Sequence, residues 1–201
     1  MTTTLKRLAE IYTGFTLRES VSYLAHGDTK LLQSKDLPKD SSVIDAIDLT
    51  RIEWKYDSQP QYLKQGSVIL LARGKPQAYL YKGNRDDKVI VGHIFIVINL
   101  NTDTIDPEYL TWYINNSSIA KRHFETNSTG STLNMTSVST VKDLLVIIPT
   151  LAEQQQIIQR QEQAGIEAHL FKLLSNLRRD YNHAFDEQIL ADVQSRIANL
   201  N

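Results

Sequence analysis

The sequence predicts an α+β protein: a mixed-sheet domain over residues 1–149, followed by a long C-terminal α-helical arm over 150–201 that is either a coiled-coil strand or a helical hairpin. Three observations lead there. Short β-branched runs separated by turn residues fill the stretch from 29 to 98. The apolar run Leu144-Leu145-Val146-Ile147-Ile148 stops at Pro149, which has no N–H to give to a sheet ladder. Thr150 and Glu153 then have capping-box spacing, and an apolar series of helical period continues to the C-terminus.

Taken in order, residues 3–12 place Leu5, Leu8, Ile11 and Tyr12 on one face of a short amphipathic helix, with threonine as cap and Gly14 as stop. Residues 29–34 and 43–54 read as strands around the turn cluster Leu37 to Ser42. Ser67 to Ala72 is apolar enough to be buried on both faces and ends at Arg73-Gly74-Lys75-Pro76. Tyr79-Leu80-Tyr81 is a strand leading into the loop Lys82 to Asp87, and Val89–Val91 and Ile94–Ile98 are strands around Gly92-His93. Asp106-Pro107-Glu108 opens a helix. Tyr109, Leu110, Trp112, Tyr113, Ile114 and Ile119 give it a packing face, and Lys121-Arg122-His123-Phe124 closes it. Glu125 to Ser139 is a polar loop long enough to suggest function.

In the arm the series Ile166, Leu170, Leu173, Leu177, Tyr181, Phe185, Ile189, Val193, Ile197 and Leu200 steps mostly by four. As one helix it extends about 75 Å, more than a 150-residue domain covers, so the stripe needs a partner. A break at Gly165 or Asp180–His183 gives a hairpin instead.

Composition narrows the function. No apolar run approaches the roughly 20 residues that span a bilayer, and residues 1–20 carry Lys6, Arg7, Glu10, Arg18 and Glu19 without a signal-peptide core. The absence of cysteine removes disulfides, thiol nucleophiles and cysteine metal sites, and a cytoplasmic location is the expectation. A net charge of −1 hides an uneven distribution. Lys64, Arg73, Lys75, Lys82, Arg85 and Lys88 face only Asp86 and Asp87 between positions 64 and 88, while the arm is mildly acidic.

No glycine-rich loop with Lys-Ser/Thr is present for nucleotide hydrolysis. His26, His93, His123, His169 and His183 lack metal-ligand spacing, so no metal or cofactor is expected. The one enzyme-like signal is Asp40 or Asp45 ahead of Glu53-Trp54-Lys55, the order in which metal-dependent nucleases hold Mg²⁺.

Pro149-x-Leu151-x-Glu153-Gln154-x-x-Ile157, preceded by Gly130-Ser131-Thr132, resembles the end of a target recognition domain in type I restriction-modification DNA specificity subunits. Ile11-x-x-Gly14-x-Thr16, Leu63-x-x-Gly66-Ser67-Val68-Ile69-Leu70 with Arg73-Gly74, and Asp106-Pro107-Glu108-Tyr109-Leu110 agree in order. The resemblance implies a non-catalytic DNA-binding subunit whose helix spaces recognition domains and docks methyltransferase subunits, with the restriction subunit joining through them. No adenine-methyltransferase motif occurs here, so methylation belongs to that partner. The family carries two repeats and this chain one. Two chains are therefore expected to pair antiparallel as a homodimer and to read a split palindrome, one half each.

On that reading Arg73, Lys75, Lys82 and Arg85 meet phosphates or guanine, and Gln77 and Asn84 are candidates for adenine. Lys121, Arg122, Ser131, Thr132 and Asn134 approach the backbone. Leu170, Leu173, Leu177, Tyr181 and Phe185 form the arm interface. Tyr79 and Tyr81 either pack against a sugar or base or belong to the core. The alternatives to the whole reading are the nuclease of Asp45, Glu53 and Lys55, and a protein-only regulatory or assembly subunit.

Overall fold

The computed structural model describes residues 1–16, 27–54, 56, 59–127 and 135–198, and the chain divides into two units, Met1–Gln155 and Gln156–Asn201. Among the described residues the strands are β1 (Thr2–Thr4), β2 (Ala9–Thr13), β3 (Thr29–Leu32), β4 (Val43–Ile44), β5 (Thr50–Ile52), β6 (Val68–Leu71), β7 (Gln77–Tyr81), β8 (Val89–Val91), β9 (Phe95–Leu100) and β10 (Leu145–Ile147). The helices are α1 (Pro107–Asn116), α2 (Ser118–Asn127), α3 (Val138–Lys142) and α4 (Leu151–Ala198). The fold is α+β with mixed sheets, as the sequence predicts.

The first element corrects an expectation. Residues 3–12 are not a helix: β1 pairs antiparallel with β10, one 3-10 turn covers Leu5–Arg7, and β2 pairs with β9 from Ala9↔Leu100 to Thr13↔Ile96. A ten-residue helix barely offsets its nucleation penalty. Thr2-Thr3-Thr4 and Ile11-Tyr12-Thr13 instead suit pleated backbone that finds partners far along the chain. The leucines keep their role, since Leu5 and Leu8 are buried from the 3-10 turn.

A five-stranded sheet in the order β2-β9-β6-β7-β4 carries the core, antiparallel except where β4 joins β7. Its central strands are buried on both faces, as the apolar run at 67–72 predicts. A second sheet, β5-β3-β8, joins β3 antiparallel to β5 and parallel to β8. Gly14 lies where the chain leaving β2 crosses Gly92: its N–H donates to the Phe95 carbonyl at 2.9 Å, and a Cβ there meets the Gly92 oxygen at 2.2 Å. Backbone on that side cannot yield cheaply. Gly14→Ala is expected to destabilise the protein by roughly 1–3 kcal/mol in urea unfolding, an overpacking penalty.

The single helix expected from Asp106 to Phe124 is two. Asp106 caps α1 by accepting from Glu108 N at 2.7 Å. The chain then turns extended at Ser117 (ψ 140°), whose hydroxyl accepts from Ala120 N at 3.0 Å and starts α2. Asn115 explains the break. Its side chain accepts from Ala78 N and donates to Ala78 O, both at 2.8 Å, so the end of α1 is fastened to β7.

Tyr81 is fully buried and its hydroxyl has no hydrogen-bond partner among the described residues, whereas the Tyr109 hydroxyl donates to Ile147 O at 2.9 Å. Tyr81→Phe is therefore expected to be neutral or mildly stabilising and Tyr109→Phe to lose about 1 kcal/mol. Burial pushes both phenols up to about 12. Because these folded-state values exceed the ordinary value of about 10, the stability they contribute is complete below pH 10 and lost as the pH rises toward 12. Tyr81→Phe should weaken that alkaline loss in urea titrations at stepped pH.

At the corner after β10 the capping box forms: Thr150 N donates to Glu153 Oε2 at 2.8 Å, and Glu153 N donates to Thr150 Oγ1 at 3.3 Å. The hydrogen bonds from Thr150, side chain before backbone, lower the Glu153 carboxyl below its ordinary value. From there α4 runs 48 residues, about 72 Å at the helical rise. It continues through Gly165 and through Asp180–His183, so neither candidate break makes a hairpin.

Candidate nucleic-acid interface

The register of the five-stranded sheet brings one group of predicted residues together. Leu71 pairs with both Phe95 and Gln77, and Thr13 pairs with Ile96. The ends of β2 and β6 and the starts of β7 and β9 therefore share one rim. Arg73 leaves β6 there in an antiparallel bridge with Met135, and Thr136 N donates to Ala72 O at 2.8 Å. Gly74, at φ +79°, takes the left-handed conformation that suits glycine and turns the chain into β7. Gln77 begins β7 with its side chain exposed.

Helix α2 faces the same turn. Lys75 and Lys121 line one cavity of about 320 Å³ with Gly74, Pro76, Phe124 and Glu125. Arg122 is exposed beside Lys121. Two stretches 46 positions apart in sequence, Lys75 and Lys121, thus supply cations to one place. Ser131, Thr132 and Asn134 lie outside the described residues, as do Gly130, Lys55 and His26. The chain re-enters at Met135, opposite Arg73.

The other predicted cations separate from this group. Lys82 lies past the far end of β7, roughly 16 Å along the strand from Gln77. It pairs with Glu108 at 3.3 Å, and Arg85 opens a 3-10 turn on that side. Asn84 belongs to the same turn, its N–H donating to Asp87 Oδ2 at 2.7 Å. The remaining oxygen of Asp87 accepts from Lys30 Nζ at 2.7 Å, and that hydrogen bond chiefly holds the Asp87 carboxyl below its ordinary value. Lys30 also donates to Ala46 O at 2.9 Å, so it holds the loops together. Tyr79 and Tyr81 are core residues, 3% and 0% exposed.

Asp45 accepts from Ile47 N at 3.1 Å in a local turn. Among the described residues no three His, Cys, Asp or Glu side chains are grouped to hold a metal. Three aromatic residues that no sequence motif marks, Phe15, Trp54 and Tyr56, come together at the shared rim, and their rings touch. Their signal in sequence is faint: single aromatics at strand ends beside Gln59 and Gln61.

In the second unit the predicted interface residues remain exposed: Leu170, Leu173, Leu177, Tyr181 and Phe185 are 48–69% accessible. Tyr181 and Phe185 stack one turn apart, with centroids at 6.4 Å. The face is wider than the predicted stripe, because Phe171, Leu174 and Leu190 are exposed as well. At 3.6 residues per turn each four-residue step advances about 40°, so positions 170–185 occupy an arc of about 120° and the series then winds on round the helix. Among the described residues no helix is long and apolar enough to cross a membrane.

Comparison with known proteins agrees with this architecture. A chain from a structure concerning complex assembly and conformational transition of the type I R-M system superposes with a TM-score of 0.59 at 14% identity, covering 86% of this chain and 40% of that one. The HsdS subunit from Thermoanaerobacter tengcongensis gives 0.53 at 14%, covering 84% and 39%. The type I S subunit from M. genitalium gives 0.50 at 15%, covering 91% and 44%. This chain spans about two-fifths of the length of those structures. No curated protein matches it in sequence. The model of the type I restriction modification DNA specificity domain matches residues 1–172, and the chain belongs to that family.

Proposed function

We propose that the chain is a non-catalytic half-specificity subunit that reads one half of a bipartite DNA site and recruits methyltransferase subunits, through which a restriction subunit joins. Residues 1–149 are the reader and 150–201 the arm. The convergence of Arg73, Lys75 and Gln77 on one sheet rim, with Lys121 of α2 lining the same cavity as Lys75, carries this reading. Lysines and arginines on a rigid rim neutralise phosphates, and Arg73 and Gln77 present groups that fork onto guanine and adenine edges. Ser131, Thr132 and Asn134 belong to the same reader as a proposal from sequence.

The arm supports the second half of the reading. Among the described residues the 48-residue helix carries an exposed apolar arc with no partner within its own unit, and antiparallel pairing with a second copy would cover the arc of each.

The rim assignment is tested by binding of a fluorescent duplex at several salt concentrations, with and without the methyltransferase subunit. Lys75→Ala and Lys121→Ala should each weaken binding about equally across sequences and lower the salt slope by about 1. Lys82→Ala, at the far end of β7 with Glu108, should leave both quantities near wild type. Equal losses from Lys82→Ala and Lys121→Ala would show that the DNA contacts are not confined to this rim, and no loss from Lys75→Ala or Lys121→Ala would show that the reader lies elsewhere.

A further inference from the structure

We infer that the cleft beside Phe15, Trp54 and Tyr56 takes an unpaired nucleobase of bound DNA; the inference rests on the DNA-reading rim proposed above. The cleft measures about 760 Å³ and also presents Thr13, Gln59 and Gln61. That volume lies within the range of small-molecule sites, about 300–1,000 Å³.

The ring geometry selects the ligand. The three centroids are 4.7, 4.7 and 5.0 Å apart with planes inclined at 57–62°. A cation caged by ring faces needs the rings spread around it with its centre within about 6 Å of each centroid. Rings packed this closely leave no space between them, so they form a platform whose half-buried outer faces border the cleft. The described lining residues carry no formal charge and offer hydroxyl, amide and aromatic groups. A flat neutral ring with donor and acceptor edges fits both features: it stacks on the aromatics and pairs with the Gln59 and Gln61 amides.

Position supplies the DNA. Phe15 N donates to Val91 O at 2.8 Å, and Phe15 is bridged to Gly92, which holds the platform on the rim that carries Arg73. In the order β2-β9-β6, one strand separates the end of β2, which Phe15 follows, from the end of β6, which Arg73 follows. With Arg73 and Lys75 on phosphates, the platform on the same rim faces the same bound duplex. Chemistry on a base requires that the base leave the stack, and its opposite base then lacks a partner. The cleft is placed to receive such an unpaired base.

Photocross-linking with 5-iododeoxyuridine tests this in the intact chain, with methyltransferase present. The iodinated base is set in a small unpaired bubble or in the same fully paired duplex, and filter retention of each DNA is measured in parallel. Cross-links on Trp54 or Tyr56 from the bubble alone are expected, and Phe15→Leu with Trp54→Leu should lower the preference for bubble over duplex about tenfold. Retained DNA with cross-links only in the Arg73–Gln77 turn or α2 overturns the base site and leaves the rim reading intact. DNA that is not retained at all overturns both.

Discussion

Replacing Leu173 and Leu177 by aspartate should convert the protein from a dimer to a monomer at micromolar concentration. The two leucines are 48% and 58% exposed and lie in the arc of about 120° that a facing helix would cover in the proposed dimer. A twofold interface presents each change twice, so four leucine side chains lose their burial. At about 1.5 kcal/mol or more for each side chain, the dissociation constant rises by roughly four powers of ten. The helix itself should persist, because aspartate lowers propensity by only about 0.7 kcal/mol per position. Sedimentation velocity reads the mass and circular dichroism the helix. An unchanged sedimentation coefficient with full helicity would remove the arm from the assembly.

Gln154→Leu should be the most damaging single change at the corner. Gln154 is completely buried although polar. Its amide donates to Thr104 O at 2.9 Å and to Pro149 O at 3.0 Å, and its carbonyl accepts from Asp106 N at 2.8 Å. Leucine fills a similar volume and leaves three backbone groups without partners, at about 1–3 kcal/mol for each that stays dry. The expected loss is roughly 3–5 kcal/mol, a large share of a typical total of about 5–15 kcal/mol. Asp106 caps α1, so the change also loosens the helix over the sheet. Thr150→Ala, at the exposed capping box, should lose only about 1 kcal/mol. Urea midpoints compare the two, and a larger loss for Thr150→Ala would refute this account of the corner.

These contrasts show what the sequence makes legible. The corner is local chemistry: proline ends a strand, threonine and glutamate cap a helix, and the apolar period carries the helix onward. Strands β6, β8 and β9 are equally readable, because short apolar runs rich in Val and Ile between turn residues suit buried sheet, and β7 is readable from its aromatic Tyr79-Leu80-Tyr81. The N-terminal segment misled, since the spacing of Leu5, Leu8 and Ile11 fits a helix while β10 and β9, far along the chain, offer the backbone better partners. The break at Ser117 was hidden for the same reason: Asn115 is fastened to Ala78, 37 positions away.

The proposed reader is legible in the sequence only as a set of cations. In the sequence Arg73, Lys75, Lys82 and Arg85 have equal standing, and strand direction divides them, because β7 carries Lys82 to the opposite end of the strand from Arg73 and Lys75. Lys121 joins Lys75 only once α2 is packed over the turn. Phe15, Trp54 and Tyr56 were invisible as a group, since nothing in their spacing foretells that the ends of β2 and β5 meet.

In the proposed assembly two copies of this chain rebuild a complete specificity subunit. Light scattering combined with selection from a random-site duplex pool, in the presence of the methyltransferase subunit, tests it most directly. The account predicts a dimer of about 46 kDa for the chain alone, twice its 22.9 kDa, and selected sites that form a split palindrome with a fixed spacer. A monomer that selects a single undivided site, or a dimer that selects none, would contradict it.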